Sequence, residues 1–99
     1  MGLPRWLREL KKRKVAQHRA DVNIGKRGLH PGIIEEIRRQ LDLQNVVKIR
    51  ILKSARKIVD EKAIEELARS LNAVIIDSRG YTYILAKRYL SRREKSESS

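Results

Sequence analysis

The chain has 99 residues, room for one domain with one modest core. Hydrophobic residues make up 40% and charged residues 36%. The 24 Lys and Arg outnumber the 12 Asp and Glu, and the net charge of +12 favours a polyanionic partner: nucleic acid, an anionic membrane or an acidic protein. With no Cys there are no disulfides, thiolate metal sites or cysteine nucleophile. No apolar run approaches the roughly 18 residues of a transmembrane helix.

The charge is uneven. Residues 1–30 carry nine Lys/Arg against two acids, residues 31–86 ten against eight, and residues 87–99 five against two. The middle is nearly neutral, so the excess belongs to one basic face rather than to the whole surface. The N-terminus lacks the continuous apolar segment of a secretory signal. The Cys-free composition suits a reducing cytoplasm, the expected location.

Taken in chain order, residues 5–18 read as a helix. Leu3, Trp6, Leu7 and Leu10 recur at spacings of three and four, and Pro4 stands where the first turn begins. The opposite face carries Arg5, Arg8 and Lys12. In 20–24, Ala20, Val22 and Ile24 alternate with Asp21 and Asn23, the pattern of a short strand. Gly25-Lys26-Arg27-Gly28 forms a loop. Pro31 then opens a helix over 31–42 with the stripe Ile33, Ile34, Ile37 and Leu41.

Residues 46–53 make a strand with Lys48 and Arg50 on one side. A third helix spans 57–71, with Asp60 and Glu61 near its N-terminus, where the dipole favours acids, and Asn72 as its stop. Residues 73–77 and 81–87 form a hairpin turning at 78–80. Residues 91–99 contain no apolar side chain and are expected to be disordered. The order is α-β-α-β-α-β-β. It predicts a single α/β domain over 5–88 with a four-stranded mixed sheet, because strands separated by helices need crossovers while the hairpin adds an antiparallel pair.

The 25–28 loop is the most informative segment. Two glycines let the backbone approach a phosphate closely, Lys26 and Arg27 supply charge, and the helix that follows supplies N–H donors. The combination fits a sugar-phosphate backbone. A tight βα turn whose glycines only satisfy geometry is the alternative, since a single GxxG is a short motif.

In KH domains GxxG joins two helices, whereas here a strand precedes it. Ile24-Gly25-Lys26 is similar to the start of Alba-type chromatin proteins, which lack a preceding basic helix. The whole order resembles the CRM domain (chloroplast RNA splicing and ribosome maturation). The resemblance rests on residues 11–19, on Asn23-Ile24-Gly25-Lys26-Arg27-Gly28-Leu29, on Ile33-Ile34-Glu35-Glu36-Ile37, on Val46-Val47-Lys48-Ile49-Arg50 and on Tyr83-Ile84-Leu85-Ala86-Lys87-Arg88. It implies an RNA-binding module with a fold similar to the C-terminal domain of translation initiation factor three. It also implies a role of stand-alone members in large-subunit ribosome assembly; members joined to other domains assist group II intron splicing.

Three features depart from the family pattern. The last strand reads Leu85-Ala86-Lys87, with Arg88 one step later than a usual Arg. The turn Asp77-Ser78-Arg79-Gly80 reads as longer than usual. His30-Pro31 stands where a Thr often opens the helix, and His30 is read as a cap, a phosphate contact or a solvated turn residue.

The first helix packs on the sheet and presents Lys11, Lys12, Arg13 and Lys14 to phosphates; these readings coexist. A membrane-surface reading is set aside because the core needs its short apolar face. Lys48 and Arg50 are read as a solvated strand face or as RNA contacts. Tyr81 and Tyr83 are read as core-edge packing. With only four aromatic residues, backbone and shape recognition of structured RNA is favoured over base stacking. His18 and His30 lack metal spacing, and no Walker loop or nucleophile elbow is present, so neither catalysis nor a cofactor is expected.

The reading is an RNA-binding protein that docks on ribosomal RNA of the large subunit, with a monomer favoured and the oligomeric state left open by the sequence. Gly25, Lys26, Arg27 and Gly28 form its loop, and Lys11, Lys12, Lys14 and Arg88 widen the footprint. The alternatives are an Alba-like DNA/RNA-binding chromatin protein and a basic adaptor for acidic protein surfaces.

Overall fold

The computed structural model describes residues 3–88, and the 91–99 segment lies outside them. The expected element order is present: α1 (Arg5–Ala16), β1 (Val22–Ile24), α2 (Pro31–Gln44), β2 (Val46–Ile51), a 3-10 turn (Lys53–Ala55), α3 (Glu61–Ser70), β3 (Ala73–Arg79) and β4 (Thr82–Lys87). The sheet order is β1-β2-β4-β3. β1 runs parallel to β2, and β4 runs antiparallel to both of its neighbours.

Alternation along the strands separates two cores. Val22, Ile24, Val47, Ile49, Ile51, Tyr83 and Leu85 face α2 and α3, meeting Ile37, Leu41, Ile64 and Leu67. On the other face Val46 and Ala86 meet Leu7 of α1, with Leu3, Leu10, Val74 and Ile76 around them. The sheet is therefore covered on both sides. Leu3, Leu7 and Leu10 pack as expected, but Trp6, one position before Leu7, turns outward and is 43% exposed.

Local chemistry sets the ends of the elements. Pro31 occupies the first turn of α2, and Asn45 ends that helix in the left-handed region at φ 71°. Asn72 has φ 56° and stops the chain after α3 as expected. α3 begins four residues later than its periodicity suggests. The Asp60 carboxylate accepts from the Ala63 N–H at 2.9 Å and caps the helix there. Ahead of it the carbonyl of Ala55 accepts from Ile58 and Val59, holding a separate turn.

The hairpin turn is shorter than expected. β3 continues through Arg79, which pairs with Thr82, so Gly80 and Tyr81 alone make the connection. Gly80 takes φ +57°, the left-handed conformation that such two-residue turns require. Ile76 is an extra residue between the pairs Ile75–Leu85 and Asp77–Ile84. This bulge packs Ile76 toward α1 and brings Asp77 to Lys11 of the same helix.

Candidate nucleic-acid interface

The 25–28 loop leaves the C-terminal end of β1. The register Ile24–Ile51 places the end of β2 beside it, and Ile51 N–H donates to the carbonyl of Tyr81 in the β3–β4 turn. One end of the sheet thus collects three connections. Lys26 and Arg27 come from the first, Lys53, Arg56 and Lys57 from the second, and Arg79 from the last residue of β3 before the third; all six are exposed. Lys26 and Arg27 make no ion pair among the described residues. The cations after β2 were not singled out from sequence. Their signal was available: β2 runs parallel to β1, so the residues following both strands must emerge at the same end.

The loop is a turn closed by Gly28 N–H donating to the Gly25 carbonyl at 2.8 Å. Its two glycines serve different ends. Gly28 has φ +65°, and a Cβ there would lie 3.2 Å from Ile58 Cδ1. Gly25 is outside the positive-φ region and faces open space, with nothing within 4 Å of an added Cβ. Gly28→Ala is expected to lower stability by about 1–2 kcal/mol, the cost of a left-handed non-glycine residue, whereas Gly25→Ala should melt with the parent protein. Thermal denaturation of both variants checks this. A fall in RNA affinity for Gly25→Ala at unchanged stability would show that a ligand approaches that glycine.

His30 is the N-cap of α2 through its backbone only; its side chain makes no capping bond. The imidazole instead lies over Gly32, where a Cβ would come within 3.0 Å of it.

The α1 cations divide. Arg5, Arg8, Lys11 and Lys12 line a cleft that Arg79 closes from the end of β3, with Glu9 the one acid in it. Lys11 also lies 3.7 Å from Asp77, which pairs with Arg79 at 3.2 Å. Lys14 must be removed from the outward set. It is only 7% exposed, and its ammonium donates to Asp21 at 2.8 Å, to Gln44 at 2.7 Å and to Gln17 at 3.3 Å. One position along the helix separates it from the exposed Arg13, and that rotation is enough to turn it into the gap between α1, β1 and α2.

Lys48 is likewise buried, at 5% exposure, and donates to the Gln17 carbonyl. Burial lowers its pKa, and the Arg50 charge adds to the effect. The strand face read as solvated is closed by the α1–β1 connection, where Arg50 also reaches the His18 carbonyl at 3.3 Å. Arg88 stands away from the loop. It follows β4, which starts at the loop end and runs six residues to the other, a separation of about 20 Å; its N–H donates to the Asn72 carbonyl.

Among the described residues no His, Cys, Asp or Glu cluster is placed to hold a metal ion, and no helix is long and apolar enough to cross a membrane. Tyr83 is core, as expected, whereas Tyr81 stands in the turn and is 49% exposed.

A family model for the CRS1 / YhbY (CRM) domain matches residues 5–87. The chain belongs to the CRM domain family. The CRM match begins with α1 and ends with β4, so it includes the basic helix and both halves of the sheet. No curated protein sequence matches the chain. Among solved structures, the fold of this CRM domain is similar to the solution structure of hypothetical protein SAV1595 from Staphylococcus aureus, described as a "putative RNA binding protein". The two share 19% identity over 88% of each chain, with a TM-score of 0.57.

Proposed function

We propose that this CRM domain binds structured RNA by its phosphates, and that the RNA is ribosomal RNA of the assembling large subunit. CRM family membership and the likeness to a protein described as RNA-binding support an RNA partner. The observation that carries the mode of binding is the gathering of Lys26, Arg27, Lys53, Arg56, Lys57 and Arg79 at one end of the sheet, around a turn whose Gly25 leaves open space for a backbone to approach. Arg79 joins this end to the cleft of α1, so the two cationic surfaces form one footprint through Arg5, Arg8, Lys11 and Lys12. Lys14 and Arg88 are not part of it.

Each phosphate contact contributes about −0.7 to −0.9 to the slope of log affinity against log salt. Replacing Lys26 and Arg27 together by Ala is expected to weaken binding to every RNA and to flatten that slope by up to about two. Titrations over a salt series check it, and an unchanged slope would remove the loop from the interface. Ultraviolet crosslinking in cells tests the identity of the RNA. Reads concentrated on one stretch of large-subunit ribosomal RNA are expected, and reads proportional to RNA abundance would leave only general polyanion binding.

A further inference from the structure

Behind the β3–β4 turn, on the side away from the α1 cleft, lies a second depression. Its floor is apolar, formed by Ile51 and Val59. One wall is the Tyr81 ring with the Arg56 guanidinium stacked on it, Cζ 3.9 Å from the ring centroid. Asp60 and Glu61, at the start of α3, also line the depression. The depression adjoins the 25–28 loop, because Ile58, the neighbour of Val59, is the side chain lying against Gly28.

We propose that this depression receives one unstacked nucleobase of the RNA whose phosphates the 25–28 loop holds; the proposal rests on the RNA-binding reading above. The chemistry excludes a phosphate and suits a base. Two carboxylates repel an anion, but a carboxylate accepts hydrogen bonds from the amino groups on base edges. Asp60 uses Oδ1 for its cap, and Glu61 makes no hydrogen bond or ion pair among the described residues. The pair Arg56–Tyr81 offers a flat π surface already assembled, and bases stack on both ring and guanidinium faces. Tyr83 lines the same depression. Burial, with the charges of Glu61 and Asp60, raises its pKa, so its hydroxyl stays protonated and can donate. A base that presents an amino group, such as adenine or cytosine, is therefore preferred. This site adds single-base recognition to a domain whose few aromatic residues pointed to shape and backbone recognition alone.

The test uses two probes, a short single-stranded adenine-rich oligoribonucleotide carrying one fluorescent aminopurine and a blunt RNA duplex of equal length. Tyr81→Ala is expected to lose about tenfold in affinity for the single strand, the order of one lost base–aromatic stack. It should also lose the fluorescence quenching of the aminopurine and bind the duplex like the parent protein. Tyr81→Phe should keep all three properties, which separates stacking from loss of fold. The variant with Lys26 and Arg27 replaced by Ala should weaken both probes. Tyr81→Ala binding and quenching like the parent, or losing equally on both probes, overturns the base site. In that event weakening by the loop variant still supports the phosphate reading, and a loop variant that binds both probes normally removes that reading as well.

Discussion

Replacing Lys14 by Met is expected to destabilise the domain by about 3–5 kcal/mol, the usual cost of leaving one charge of a buried pair uncompensated. A chain of this size has about 5–15 kcal/mol in total, so the variant should melt far below the parent. Asp21 is the reason. Its carboxylate accepts from Lys14 at 2.8 Å, from the Lys48 backbone N–H at 2.8 Å and from Gln17 at 3.2 Å, tying α1 to β1 and β2. Met fills a similar volume but removes the ammonium, and the part-buried carboxylate keeps only the Gln17 amide and the Lys48 N–H as donors. Adding Asp21→Asn should recover part of the loss, because a neutral amide needs no counter-charge. A Lys14→Met protein that melts with the parent would show that the network contributes nothing.

The same pair sets a pH dependence. Burial pushes the Asp21 carboxyl up, and the hydrogen bonds from Lys14 and Lys48 with the Lys14 charge more than offset it, so it is held below its ordinary value of 3.8. A carboxyl depressed by folding contributes its full stability above the unfolded value and loses it as pH falls through the folded one. The parent protein should therefore lose stability below about pH 4, and Lys14→Met should lose less over that window. Melting curves across an acid series measure both. Because Lys14 is committed to Asp21, its replacement should leave the salt slope of RNA binding unchanged under conditions where the variant is folded.

Ile49→Ala is expected to cost about 2–5 kcal/mol, the range for a large aliphatic side chain removed from a packed core. Ile49 is fully buried at the centre of β2. It pairs with Val22 on one side and Tyr83 on the other, inside the core that α2 and α3 cover. No neighbour can collapse into the gap without moving a paired strand, which puts the loss toward the upper end. Ile49→Val should cost only about 0.5–1.5 kcal/mol. Chemical denaturation separates the two. Equal midpoints for both variants would mean that the site relaxes and the sheet centre is plastic. RNA affinity measured well below the midpoint should be unchanged in either, since none of the cations of the proposed footprint lies on β2.

Much of the domain was legible in the residues. Periods of 3.6 and 2 marked three helices and four strands, and their alternation required crossovers and hence a mixed sheet. Pro31 and Asn72 marked ends, because their backbone preferences act locally whatever the rest of the chain does. The 25–28 loop stood out because glycines and cations between a strand and a helix need no distant partner to be recognised. The start of α3 at Asp60 was less accessible, since the periodicity of Val59, Ala63 and Ile64 runs across the cap that interrupts it.

Other features depended on contacts between residues far apart in the chain. Periodicity says which face a residue occupies but not what stands opposite. Lys14 reads as one more cation in a basic run, and only the approach of Asp21, seven residues on, and of Gln44, thirty residues on, turns it into a buried partner. Lys48 reads as half of a solvated face until the α1–β1 connection covers it. The grouping of Lys53, Arg56 and Lys57 with Lys26 and Arg27 needs the parallel pairing of β1 with β2. Arg56 meets Tyr81 only because β4 inserts between β2 and β3 and brings the hairpin turn to the same end. The sequence alone determined the net charge, the order of elements and the turn that presents Gly25, because each follows from local backbone preference and composition. Which cations meet solvent and which are spent inside was decided only by tertiary structure, because burial depends on whatever packs across from a side chain.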